Sequence, residues 1–296
     1  MTVTPSAAYA VAMIGIATFS CMDAFMKGLS IEIGAYNAML WRSIIGLAMS
    51  IPMFAIWGKG WPGRSTAIIH LKRSVAAGIS VLLFFWGLAR VPMAEGVTLT
   101  FLSPIIALFL AALMLGEQIR RRTIGASLLA FAGVGVILSG RAGGEGGPDA
   151  LHGAFAIIVA GMFYAYNLVL LRRSALLAGP VEITFFTNLV FVGLYGIAAP
   201  VAATVPDAGQ VLRLSAAAGL AIISSLALAW AYAHAEAQRL VTVEYTAFVW
   251  ATILSAIVFG ERLLPLTVAG AVLIIAGSII AARGRAAPAP ATEAAA

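Results

Sequence analysis

Apolar stretches about long enough to cross a bilayer recur ten times along the chain, with short polar connections between them. They cover residues 7–28, 34–57, 74–91, 94–115, 122–139, 151–172, 181–204, 213–235, 242–259 and 263–282. Each predicts a helix, because about 20 helical residues span a hydrocarbon core of about 30 Å. Stretches such as 94–115 and 263–282 hold at most one charge. Their continuity excludes the strands of a membrane barrel, in which lumen-facing and lipid-facing residues would alternate. The first stretch has no basic region before it and no small-residue cleavage site after it, so it reads as a retained helix.

The ten stretches fall into two halves that align without a gap, residues 80–139 lying 144 positions before residues 224–283. Alanine and leucine matches carry little weight in a chain this rich in both. The telling matches are Ser80 with Ser224, Trp86 with Trp230, Thr98 with Thr242, Gly116-Glu117 with Gly260-Glu261, Thr123 with Thr267 and Gly133 with Gly277. The same offset carries Ser20 and Asp23 onto Tyr164 and Asn167, so the duplication spans nearly the whole chain. The expected organisation is a first five-helix repeat over 1–143, a glycine-rich linker over 144–150, a second repeat over 151–285 and a disordered tail over 286–296.

Composition agrees: 62% of residues are hydrophobic, 10% charged, and the mean hydropathy is +1.01. Soluble domains carry roughly 25% charged residues, so this is an integral membrane protein. The net charge of +6 is topological rather than a footprint for nucleic acid, because the basic residues sit in short connections between spans. Twelve lie on the side shared by the two termini and five on the other, which predicts both termini inside. Five spans per half then oblige the second half to enter from the opposite side. Accordingly Arg120-Arg121-Arg122 after the first Gly-Glu becomes Leu264-Pro265-Leu266 after the second. The predicted fold is all-α, ten transmembrane helices arranged as two inverted five-helix repeats.

Several chemistries are disfavoured. The single Cys21 excludes an intrachain disulfide, and His70, His152 and His234 lack metal-ligand spacing, so neither metal nor cofactor is expected. The glycine-rich linker lacks the Lys-Ser/Thr of a phosphate loop. An intramembrane transferase would need paired acids or a His-Asp constellation in fixed geometry, which the linker residues Glu145, Asp149 and His152 do not provide.

Ser103-Pro104, an apolar run closing on Leu115-Gly116-Glu117 and a glycine-bearing fifth span, echoed by residues 252–261 and 270–277, resemble the EamA-domain members of the drug/metabolite transporter superfamily. The resemblance covers essentially the full chain. It implies secondary transport in the bacterial cytoplasmic (inner) membrane, usually export of small metabolites, with amino-acid exporters of the YddG kind nearest in layout. Phe248 stands where that pattern has proline, which predicts a straighter ninth span than fourth. The alternatives are an exporter of cationic drugs or other metabolites and, outside transport, a membrane scaffold or assembly subunit. Oligomeric state is open between monomer and homodimer.

Polar groups inside spans are costly unless paired or facing water, so each is a functional candidate. Ser20 and Asp23 lie three apart on one helix face, and Tyr164 and Asn167 keep that spacing. Asp23 is either a proton acceptor or substrate-amine partner, or the ion-pair partner of Lys27 four residues on. Thr98, Phe101, Tyr245, Trp86, Trp230 and Trp250 complete the candidate binding set, since aromatic walls suit aromatic or cationic substrates; ordinary packing is the competing explanation for each ring. Arg42, read as the only basic residue well inside a span, is a carboxylate anchor, a partner of Asp23 or a snorkelling side chain. With Asp23, His234 and Glu244 it forms the candidate coupling or gating set. Glu117 and Glu261 read as structural, through capping or a loop ion pair. Glycines 125, 133, 135, 270 and 277 read as close-packing positions.

Overall fold

The computed structural model describes residues 5–58, 60–115, 121–142, 149–175, 177–234 and 243–283, and those residues are helical with no strand among them. In chain order the helices are α1 (Pro5–Glu32), α2 (Gly34–Trp57), α3 (Arg64–Leu88), α4 (Met93–Thr100), α5 (Ser103–Leu115), α6 (Arg121–Ala142), α7 (Ala150–Ala175), α8 (Pro180–Gly196), α9 (Ala199–Ala202), α10 (Ala208–His234), α11 (Thr246–Phe259) and α12 (Pro265–Arg283). By length and composition six segments can cross a membrane: Ala7–Glu32, Gly34–Trp57, Arg64–Leu88, Met93–Met114, Ala150–Leu171 and Ala208–Ala231. Four shorter apolar helices, Ile124–Gly140, Pro180–Gly196, Thr246–Phe259 and Pro265–Ile280, occupy the remaining predicted spans. The chain is a multi-pass helical membrane protein. Residues 286–296, expected to be a disordered tail, lie outside the described residues, as do Glu117 and Thr242.

Helix ends depart from the apolar windows in a consistent way. α1 runs to Glu32 rather than 28 and α3 begins at Arg64 rather than 74. Hydropathy windows stop at charges, whereas a helix continues while its backbone bonds are satisfied. The extra turns of α3 carry His70 and Arg73 into the bundle, where both are buried, as is Lys27 of α1. Arg42 is therefore not the only basic residue well inside a span.

Helices from the two halves pack against each other more than within a half. α3 lies along α7, α1 along α10, α6 along α12 and α2 against α8. Two equivalent serines fasten the first two pairs: Ser80 of α3 donates to the Ala160 carbonyl of α7 at 2.8 Å, and Ser224 of α10 donates to the Gly15 carbonyl of α1 at 2.7 Å. The α6–α12 contact is close because Gly133 and Gly270 face each other; a Cβ on Gly133 would stand 2.6 Å from the Gly270 carbonyl oxygen. Gly125 and Gly135 have open space where a Cβ would be and do not serve this contact.

The fourth span is broken. Pro104 has no amide to donate, and the amide of Ile105 turns to the Leu102 carbonyl at 3.1 Å. The Phe101 carbonyl thereby loses its donor within the helix, and Ser278 of α12 supplies one at 3.0 Å. The ninth span was expected to be straighter for want of proline, but a turn interrupts it at Tyr245, the position equivalent to Phe101. There the amide of Phe248 reaches back to the Tyr245 carbonyl at 3.2 Å, a three-residue closure that needs no proline.

Candidate functional site

Four helices bring a small set of polar side chains together within the bundle. Asp23 on α1 keeps 5% of its surface. The charge that acts on it is that of Arg42 on α2, whose guanidinium also acts on Tyr195 of α8. Within that guanidinium Nε is buried without an acceptor among the described residues. Tyr164 of α7 feels the charges of both Asp23 and Glu244, so the second half reaches the same region. The Tyr195 hydroxyl is committed elsewhere, donating to the Gly78 carbonyl at 2.8 Å. Asp23 and Arg42 thus act on each other by charge, and the Nε of Arg42 keeps unused donor capacity.

The candidate rings stand in three settings. Phe101 and Tyr245, at the two helix breaks, meet edge to face with centroids 5.2 Å apart at 73°. Trp86 and Trp230 each leave 38% of their surface exposed, and the Arg90 guanidinium stacks 3.6 Å over Trp86. Trp250 instead joins an apolar cluster with Ala12, Ile16 and Val243. Ser20 is buried beside Asp23 on α1. Thr98 is fully buried and turns its hydroxyl to the Ala94 carbonyl of its own helix at 2.7 Å. The side chain of His234 lies outside the described residues.

Two expected partnerships are replaced by others. Asp23 and Lys27 do not pair. Lys27, 2% exposed, donates to the Val91 carbonyl at 2.7 Å and pairs with Glu261 from the other half. Glu261 also accepts the Met93 amide at the start of α4, at 2.9 Å, and the Ser255 hydroxyl. Gly260 makes this possible. Its φ of +62° ends α11 in the left-handed conformation, and the Glu261 amide folds back to the Ser255 carbonyl at 3.1 Å. The second Gly-Glu thus ends α11 and uses the carboxylate to cap α4 of the other half. Asn167, matched in sequence to Asp23, offers its oxygen to Arg73 at 3.4 Å, and Arg73 also bonds Thr187 and Ser74.

Sequence reasoning placed Arg73 in a connection and gave His70 and Glu182 no role. His70 is buried against Glu182 at 3.3 Å, with the Ser174 hydroxyl at 3.5 Å on its other nitrogen and the Phe186 ring stacked at 5.0 Å. Both clusters tie α3 to α7 and α8. The available signal was helical spacing: His70 and Arg73 lie three apart and share one face with the apolar residues that follow. Among the described residues no group of three His, Cys, Asp or Glu side chains could hold a metal ion.

A helical bundle whose buried polar side chains come from both halves is the architecture of a membrane transport protein rather than of an enzyme, whose acids and bases would converge on one reacting centre. The chain belongs to the EamA-like transporter family, which matches residues 6–139 and again residues 151–283. It is similar to the pseudopaline exporter CntI of Pseudomonas aeruginosa, 24% identical over 278 residues that cover 92% of this chain and 94% of that one. An uncharacterized transporter of Helicobacter pylori is 26% identical over 289 residues, covering 92% and 94%. A riboflavin transporter of Rhizobium johnstonii is 25% identical over 228 residues, covering 76% and 74%. A solved crystal structure shares the fold, with a TM-score of 0.61 at 20% identity over 94% of this chain and 97% of that one. Family members are transporters of small molecules, not enzymes.

Proposed function

We propose that this protein is a secondary transporter of the bacterial cytoplasmic (inner) membrane that exports small metabolites, foremost amino acids, aromatic ones among them. It works by alternating access around a cavity between two inverted five-helix repeats. The observation that carries this reading is the buried carboxylate of Asp23 under the charge of the half-buried Arg42, with Tyr164 from the second half feeling the charge of Asp23. A zwitterionic amino acid presents an ammonium to Asp23 and a carboxylate to the free Nε of Arg42, satisfying two groups that are costly to leave alone in hydrocarbon.

Inverted topology is favoured by the exchange of contacts between halves: α3 with α7 mirrors α10 with α1, down to the equivalent bonds of Ser80 and Ser224. Substrate sites of such transporters lie near the midplane, where broken helices meet. Phe101 and Tyr245 stand at those breaks and supply aromatic edges to a side chain. Ser20, Trp86 and Trp230 complete the wall, while Thr98, Asn167 and Trp250 hold its shape. Export is the direction in the name of one relative, CntI, and an aromatic heterocycle is the cargo in the name of another, the riboflavin transporter.

Flux through the purified protein in liposomes tests the reading, with neutral, aromatic and basic amino acids and one quaternary cation, each with and without a proton gradient. Saturable amino-acid flux that Arg42→Gln abolishes is the expected result. Cation flux that survives Arg42→Gln but not Asp23→Asn would move the substrate to cationic drugs. Absence of flux for every compound, from folded protein, would overturn the substrate class.

A further inference from the structure

Lys27 gathers the end of the bundle at which α1 terminates. Its ammonium sits on α1, its two acceptors lie in the α3–α4 turn and after α11, and the Phe259 ring lies 4.9 Å beneath it. Glu261 closes the circuit by accepting from Met93 and Ser255. One partly buried ion pair therefore joins α1, α3, α4, α11 and the approach to α12, with the ammonium from the first half and the carboxylate from the second. Glu95 of α4 is a further carboxylate whose charge acts on Lys27, and Thr267 of α12 bonds Glu95 at 3.3 Å.

Two members of this cluster have no counterpart of like chemistry in the sequence duplication. Positions equivalent to Lys27 and Ser255 hold Leu171 and Ala111, which can make neither an ion pair nor a hydroxyl bond. The opposite end is held by other residues, His70 with Glu182 and Arg73 with Asn167 and Thr187, so the two ends are fastened by different chemistry. Solvent has a way in: a cleft of about 40 Å³, room for roughly one water, opens beside Glu261 between Pro92, Ala94, Thr252 and Arg262. An ion pair in this setting is bistable. It holds while both partners stay buried together, and once parted each charge needs water that only an open vestibule provides.

We propose that Lys27 and Glu261 are the gate residues of the end where α1 terminates, and that their pairing holds that end closed. This rests on the alternating-access reading above. On the orientation predicted by the basic residues, the gated end faces away from the cytoplasm.

Thiol accessibility tests it. In a Cys21→Ala background, Ser20→Cys places a probe beside Asp23, about 10 Å along α1 from Lys27 by helical rise. Membrane-impermeant methanethiosulfonate is added to one face of oriented vesicles at a time. With Lys27 and Glu261 intact the probe reacts slowly from the gated face. Glu261→Gln is expected to speed that reaction by roughly tenfold or more and to slow the reaction from the opposite face, since opening one side closes the other. Ser255→Ala, which removes one bond and keeps the ion pair, gives a smaller change in the same direction and covers the case in which Glu261→Gln fails to fold. Unchanged labelling from the gated face in folded variants that still transport overturns the gate and leaves alternating access standing. Faster labelling from both faces together overturns both, since the pair would then be a staple of the fold.

Discussion

Phe101 and Tyr245 occupy equivalent positions 144 residues apart, and their rings touch, edge to face, each at the residue where its helix is interrupted. Residues exchanged by a two-fold rotation touch one another only near its axis, so in the proposed arrangement this pair marks that axis and the centre of the site. Replacing either ring by alanine is expected to lower the preference for aromatic over aliphatic amino acids by roughly 2- to 10-fold, as an edge-to-face contact is worth about 0.5–1.5 kcal/mol. Competition between phenylalanine and leucine in the liposome assay reads this out. An unchanged ratio with intact flux would place the rings outside the substrate path.

Asp23 offers a sharper contrast between stability and function. A buried carboxylate is a burden on folding that the uncharged amide of asparagine relieves. Asp23→Asn should unfold in detergent at the same temperature as the parent or a few degrees higher, while amino-acid flux falls by at least about tenfold, a loss of about 1.4 kcal/mol or more. A variant that loses stability and flux together would assign Asp23 to the scaffold.

The glycines separate by what surrounds them. Gly133→Ala drives a methyl against the Gly270 backbone of α12 and should cost about 1–3 kcal/mol. Gly125→Ala meets open space on the same helix and should be neutral or stabilising by up to about 1 kcal/mol. Thermal unfolding of the two variants in one detergent makes the comparison. Equal losses would mean that α6 and α12 are not in this contact in the membrane.

Not every charge pair on the gated end matters equally. Arg213 reaches Glu32 with bonds of 2.5 and 2.7 Å, but both side chains are about 40% exposed, at 38% and 42%. Exposed pairs are worth about 0–1 kcal/mol, and solvent screens them. Glu32→Gln should change stability by less than about 1 kcal/mol and flux by less than about 2-fold. A large effect on transport would make this pair part of the gate.

Much of this was legible in the sequence. Apolar run length located the spans, and the 144-residue offset anticipated the matched bonds of Ser80 and Ser224. What escaped was charge inside helices. Lys27 and Arg73 sit at the edges of apolar runs, where hydropathy reads a connection, and their partners Glu261, Thr187 and Asn167 lie more than 90 positions away. Pairing of Asp23 with Lys27 looked natural because local spacing is all that a single helix displays. The ninth-span break at Tyr245 escaped for a related reason: proline announces a break, whereas a turn closed by the Phe248 amide leaves no mark on residue type.

A helix in lipid is normally stiff because each rung removed from its ladder leaves a carbonyl facing hydrocarbon. At Phe101 the rung is already missing, and its oxygen is held by a hydroxyl from a different helix. Bending α5 against α4 at this point therefore breaks no amide bond to the Phe101 oxygen, which stays with Ser278 of α12. The same bilayer that makes bending expensive elsewhere in the bundle leaves this joint as the least costly place to bend.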